Sequence, residues 1–247
     1  MTAASPLLQL SALGTVLPVD LSGTRLDPEE FRHAWSRCLV GPETSATAEP
    51  LKATGTSMAE LTQSITRAFI SSRFGELLML HAGALCHPGT GAALVYVAPG
   101  GTGKTTLSAT FGERYGYLTD ETVAIEPHTW RVLAYPKPLS VRPVGGSGLK
   151  DEISPDVLGL APAPADPHVT SMVLLQRDEA AEGPRAEPLD LLDAVAAICE
   201  QSSSIHLLDR PLHLLAELIA DVGGVERWRY REAHTLTDLV TDRLGEP

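Results

Sequence analysis

Val95-Tyr96-Val97-Ala98-Pro99-Gly100-Gly101-Thr102-Gly103-Lys104-Thr105-Thr106-Leu107 is the stretch whose reading decides the fold. A short apolar run breaks into glycines and ends on a lysine and two threonines. That order predicts a buried strand, a phosphate-cradling loop and the first turn of a helix. Gly100, Gly101 and Gly103 let consecutive backbone N–H groups curl round an anion with no Cβ in the way. Lys104 supplies a point charge for the β and γ phosphates, and the Thr105 hydroxyl can hold a magnesium ion. The unpaired amides of the helix start add to the same field. The expected nucleotide-binding residues are therefore Gly100, Gly101, Thr102, Gly103, Lys104, Thr105 and Thr106. Ala98 takes the place of the first glycine of G-x-x-x-x-G-K-[ST], and it serves there if its φ is negative. A glycine-rich turn before a helix is the plain alternative, but it gives no reason for a lysine and two hydroxyls just inside the helix.

Working outward, residues 77–85 and 92–97 are apolar runs on either side of His87-Pro88-Gly89-Thr90-Gly91. The joint predicts a β-hairpin, because it leaves no space for a crossover helix. A hairpin leading into a phosphate loop separates this chain from the all-parallel nucleotide folds, so the expected class is α/β with a mixed sheet. Upstream, Met58, Leu61, Ile65, Phe69 and Ile70 have helical spacing over 57–73. Downstream, 107–114 continues the helix, 117–125 is a strand interrupted by Asp120 and Glu121, and 130–135 is another strand. A charged pair between two apolar half-strands is out of place in a core unless it faces a site; a solvent-facing turn joining two short strands is the alternative. The prolines of 136–143 keep that segment extended, and 145–150 reads as a flexible loop. Arg142 and Lys150 can reach phosphate from there or serve as ordinary exposed bases. Further on, 169–176 is a strand, 177–188 a polar loop, and 189–199 and 211–222 are helices, the second ended by Gly223-Gly224. Residues 225–230 alternate as a strand placed on an edge by its arginines, and a short helix begins at Thr235.

At 247 residues with 43% hydrophobic content the chain can bury one sizeable core and carry a small appendage. Residues 1–60 read as an accessory region or small lobe, with strands at 8–10 and 15–19, a helix start at 27–35 and a linker over 41–56. Residues 61–247 read as the nucleotide-binding domain. A formal net charge of -12, from 19 Lys+Arg against 31 Asp+Glu, argues against nucleic-acid and anionic-membrane partners. Cys38, Cys86 and Cys199 are odd in number and lack metal-ligand spacing, so they read as small buried hydrophobes in a reducing compartment. No stretch is long and apolar enough to span a bilayer, and the start has no basic region before a hydrophobic one. The expected location is the cytoplasm.

His81-Ala82-Gly83-Ala84, the hairpin, the loop from Ala98 to Leu107, Tyr117-Leu118-Thr119-Asp120-Glu121 and Tyr135-Pro136-Lys137-Pro138 occur in that order. Together they resemble the catalytic domain of the HPr kinase/phosphorylase family, whose fold is related to the phosphoenolpyruvate carboxykinases. The resemblance is specific over 75–145 and weaker toward the C-terminus. It implies a strongly bent mixed sheet, ATP and magnesium at the loop, and phosphoryl transfer to a hydroxyl. In relatives that hydroxyl belongs to a carrier-protein serine, a precursor peptide or a small metabolite such as free serine. Family members often form rings, so the resemblance also implies a homo-oligomer. The family's paired aspartates are Asp120-Glu121 here, and the phosphorylase signature stretch has no counterpart, so reverse phosphorolysis is not implied.

Phosphoryl transfer needs charge neutralisation at the phosphates, a bridging metal and a carboxylate that orients the incoming hydroxyl. Lys104 meets the first need, Thr105 and Glu121 the second, and Asp120 the third. His81 can hydrogen-bond a carboxylate or the γ phosphate, or be a satisfied core histidine, and Arg142 can steady the transferred group. The expected reaction is transfer from ATP to a serine or threonine of a peptide, or to a small hydroxyl metabolite. An ATPase or GTPase switch with water as acceptor is one alternative class, and a noncatalytic nucleotide-binding partner protein is another.

Overall fold

The computed structural model describes residues 7–55, 57–142 and 150–247. All but the last residue of the loop expected over 145–150, and the first six residues of the chain, lie outside the described residues. The chain divides into two compact units, one of residues 1–73 and 135–158, the other of 74–134 and 159–247. The accessory region expected at 1–60 falls within the first unit, which also takes in residues 61–73 and 135–158.

The first unit begins with β1 (Leu7–Ala12) and β2 (Thr15–Asp20), paired antiparallel across a two-residue turn. Leu13 and Gly14 both have positive φ there, the backbone that a tight hairpin needs. Helix α1 (Pro28–Ala34) starts as its sequence suggests: the Asp27 carboxylate accepts from Glu29 N–H, and proline stands at the first helical position. Short strands β3 (Leu39–Val40) and β4 (Leu51–Lys52) complete a sheet of order β3-β1-β2-β4. Helix α2 (Met58–Ser72), capped by Ser57, buries Leu61, Ile65 and Phe69 on one face.

The second unit opens with β5 (Leu78–Cys86) and β6 (Ala92–Val97), a hairpin with Ala82 opposite Val97 and Cys86 opposite Ala93. The expected antiparallel joint is present. Helix α3 (Lys104–Phe111) follows, then β7 (Gly116–Thr119), β8 (Thr122–Ile125) and β9 (Val132–Leu133). In the first unit, β10 (Leu139–Val141) pairs with β11 (Asp151–Ile153). The second unit resumes with β12 (His168–Arg177), β13 (Arg185–Pro188), α4 (Leu191–Glu200), β14 (Ser202–Ser203), α5 (Pro211–Asp221), β15 (Val225–Tyr230) and α6 (Thr237–Leu244).

Its sheet runs β13-β15-β12-β6-β5-β8-β9 and is mixed: β12 pairs parallel with both β6 and β15, while β5 runs antiparallel to β6. Strand β5 changes neighbours along its length. Residues 78–81 pair with β8, and 84–86 pair with β7. Asp120 and Glu121 occupy the bend between those two short strands, directly beside the change. Apolar side chains of β5, β6 and β8, with Ile198 of α4 and Leu215, Leu218 and Ile219 of α5, form the buried core. Each such aliphatic side chain contributes about 1.5–3 kcal/mol when fully buried. Gly223 and Gly224, both at positive φ, close α5 as expected, with Gly224 N–H donating to the Ile219 carbonyl.

Two expectations are corrected. Part of the polar loop at 177–188 is strand β13, and β15 is consequently internal. The arginines of β15 suggested an edge, yet Arg229 lies 4.0 Å from Asp178, and Glu226 of the same strand pairs with Arg243 of α6 at 2.5 Å, so charges of both signs on this strand have opposite charges beside them. Among the described residues no helix is long and apolar enough to cross a membrane.

Candidate functional site

Strand β6 is buried along nearly its whole length, so the chain leaves it at a fixed point. Residues 98–103 then turn into α3. Ala98 keeps a negative φ, whereas Gly101 and Gly103 sit at +82° and +112°, where a side chain would be strained. The Gly103 position is doubly restricted, because a Cβ there would come within 2.7 Å of the Tyr230 hydroxyl oxygen. On α3, Ser108 and Tyr96 of β6 share a 2.5 Å hydrogen bond that fixes the helix against the strand.

The loop's carbonyls are met by donors from several directions. Lys104, only 6% exposed, donates from Nζ to the carbonyls of Ala98 at 2.6 Å and Pro99 at 3.1 Å. Thr102 Oγ1 also donates to the Pro99 carbonyl, at 3.0 Å. Tyr230, the last residue of β15, donates from its hydroxyl to the Thr102 carbonyl at 2.8 Å.

Thr105 Oγ1 donates to Asp120 Oδ2 at 2.7 Å, and the Tyr117 hydroxyl donates to Asp120 Oδ1 at 3.1 Å. Asp120 is buried, and Thr119 shapes its bend by accepting from the N–H groups of Glu121 and Thr122. The Glu121 carbonyl accepts from Ala82 N–H at 3.1 Å, which ties the bend to β5. His81, the residue before Ala82, is half-buried beside the Glu121 backbone. Burial, followed by the Lys104 ammonium, pushes the His81 imidazole below its ordinary value, against the opposing pull of Glu121 and Asp120. The net effect favours the neutral imidazole.

The second unit thus brings Lys104, Thr105, Asp120, Glu121 and His81 together, with Gly100, Gly101, Thr102 and Gly103 in the loop above α3. Thr106 is exposed on the first turn of α3. Arg142 belongs to the first unit, exposed on the residue after β10, and Lys150 is exposed just before β11. Sequence reasoning did not single out Tyr117 or Tyr230. Tyr117 stood inside the quoted motif, three residues before Asp120, and Tyr230 had only strand alternation to mark it. Among the described residues no three His, Cys, Asp or Glu side chains converge as metal ligands. A cleft of about 150 Å³ lined by Glu76, His128, Arg210, His213 and Glu217 shares no residue with the loop, and its charges are mixed.

What the second unit defines is an α/β fold with a large mixed sheet and flanking helices. No family model and no curated protein matches the chain. Among solved structures, the chain is similar to the Hpr(Ser) kinase/phosphatase from Coxiella burnetii at 12% identity and a TM-score of 0.37, over 66% of this chain and 88% of that one. An overlap this loose assigns no residue a role, and the roles considered for this chain rest on its own geometry.

Proposed function

We propose that this chain is an ATP- and magnesium-dependent phosphotransferase that moves the γ phosphate to a hydroxyl, either a serine or threonine of a peptide or a small hydroxyl metabolite. The observation that carries the reading is the 2.7 Å hydrogen bond from Thr105 to Asp120. It joins the first-turn hydroxyl of a helix entered through a glycine loop to a buried carboxylate on the bend beside β5. The loop residues fit a nucleotide phosphate, since a Cβ built on Gly100 or Gly101 meets nothing within 4 Å and no side chain caps the start of α3. Magnesium needs only one or two protein ligands beside phosphates, so a hydroxyl and one carboxylate suffice. Bound there, it would neutralise charge on the phosphates during transfer, held by Thr105 and Asp120.

Lys104 carries the positive charge for the phosphates and exchanges its loop carbonyls for them on binding. Thr105 and Asp120 serve the metal in this reading, which reassigns Asp120 from the base role its sequence position suggested. Both Asp120 oxygens accept hydroxyl hydrogen bonds, and a carboxylate oriented in that way suits a metal better than an approaching acceptor. Glu121, which its sequence position had placed on the metal, is reassigned with His81 to orienting the acceptor hydroxyl. The same Thr105–Asp120 contact favours one second reading, a hydrolase in which water is the acceptor.

Labelled ATP incubated with candidate peptides and hydroxyl metabolites, with phosphorylated product and free phosphate both followed, tests the proposal. Asp120→Asn should lower transfer about 10²-fold while ATP still binds. Release of phosphate at full rate without any acceptor, slowed equally by Asp120→Asn, would instead establish the hydrolase.

A further inference from the structure

The peptide between Thr102 and Gly103 is one that the loop's own chemistry leaves easy to turn over. Glycine at 103, with φ +112° and ψ 14°, accepts either orientation of the preceding peptide at little steric cost. A phosphate-binding loop cannot tolerate that freedom, because a flipped peptide presents a carbonyl oxygen to an anion where an N–H is needed. No peptide bond among the described residues is cis, so the Thr102 carbonyl and the Gly103 N–H point in opposite directions. Whatever holds the carbonyl also aims the N–H.

We infer that Tyr230 is the positioning residue that fixes this peptide: its hydroxyl holds the Thr102 carbonyl on the β15 side and thereby turns the Gly103 N–H toward the bound phosphates. The inference rests on the nucleotide reading of the loop and adds the residue that sets the loop's polarity. Two contacts of one atom carry it. The hydroxyl donates to Thr102 at 2.8 Å, and the same oxygen occupies the space that a Cβ at 103 would need, at 2.7 Å. Its support is rigid, since β15 lies between β12 and β13 and the Tyr230 ring is only 1% exposed. Burial pushes the Tyr230 phenol up to about 12, with Arg177 opposing and Glu232 reinforcing, so the hydroxyl keeps its proton and remains a donor throughout the neutral range.

The test measures the ATP–magnesium dissociation constant by calorimetry and, separately, the rate of phosphate release or transfer at saturating ATP. Tyr230→Phe keeps the ring and removes only the donor. It should weaken ATP binding about 10-fold, the size expected for one lost hydrogen bond, while the saturated rate stays within about twofold. Gly103→Ala, which leaves β15 untouched, should also weaken ATP binding. In the Tyr230→Phe background its additional effect should be at least about threefold smaller, because the clash with the Tyr230 hydroxyl is then gone and only the backbone strain at 103 remains. Unchanged ATP affinity in Tyr230→Phe, with the wild type binding normally, overturns this inference and leaves the nucleotide reading standing. A fall in the saturated rate at unchanged affinity overturns it as well, and so does full additivity of the two substitutions. Absence of ATP binding by the wild type overturns the nucleotide reading itself, and this inference with it. Should Tyr230→Phe not fold, Gly103→Ala alone decides, and unchanged affinity there overturns the role of the Tyr230 hydroxyl.

Discussion

At the start of α4 the Asp190 carboxylate accepts hydrogen bonds from the N–H groups of Leu192 and Asp193, both at 3.0 Å, whereas α3 starts on Gly103 with no side chain on its first-turn amides. Both helices have the same need, since the first N–H groups of any helix lack an internal partner. In α4 the chain meets that need with its own acid, as it also does with Asp27 at α1, and at α2 with the hydroxyl of Ser57. In α3 an acid at the cap would repel an anion, and a lysine follows instead. Helices α5 and α6 also start without a side-chain cap, so what sets α3 apart is the glycine loop before it and the lysine at its first position, a polarity that suits a negative ligand.

Lys104→Ala attacks the α3 side of the comparison most directly and should have the largest effect. Removing a buried cation from the proposed phosphate site should weaken ATP binding by about 10²–10³-fold with the fold retained, and calorimetry on the purified variant checks this. Tyr117→Phe should act more gently. It takes one hydrogen bond from Asp120 and should lower the saturated rate by about 3–10-fold with ATP affinity little changed, read from steady-state kinetics.

Asp190→Ala bears on the α4 side and should have the smallest effect: no change in ATP binding, and a thermal midpoint a few degrees lower at neutral pH. Hydrogen bonds from Asp193, with that of the Leu192 N–H, hold the Asp190 carboxyl below the usual carboxylate range. A folded-state value below the unfolded one means that the stabilisation is complete above the unfolded value and disappears as pH falls through the folded one. The midpoint difference between the wild type and Asp190→Ala should therefore be constant near neutrality and shrink in acid. An equal difference at every pH would show that the carboxylate's charge plays no part in the cap.

The hairpin, the glycine turn, α2, α4 and α5 were legible in the sequence because each is declared by local chemistry: an apolar run, a Pro-Gly joint, a 3.6-residue spacing or a terminal glycine pair. Strand β13 was not, because Arg185-Ala186-Glu187-Pro188 carries almost no apolar signal and owes its conformation to pairing with β15. Missing β13 in turn placed β15 on an edge. The loop and the acid pair could be found from residue types alone, but the arrangement around Asp120 could not, since the Thr105 contact depends on how β7 returns to α3. Tyr230 lay furthest beyond reach. Its partner Thr102 is 128 positions away, and no spacing rule connects the end of one strand to a loop at that separation.

The discontinuous first unit bears on how the chain is made. Tyr135 shares a 2.8 Å hydrogen bond with Thr66 of α2 and packs edge-on against Phe69, and β11 lies against the same helix. These partners leave the ribosome only after residues 74–134, which belong to the other unit, have been synthesised. Domains usually mature in the order of translation, but here the apolar face of α2, with Leu61, Ile65 and Phe69, waits through that interval for part of its packing. A fragment cut at residue 73 would keep that face incompletely covered, so division of the protein for separate expression has to respect the return of the chain at 135–158 and not its linear order.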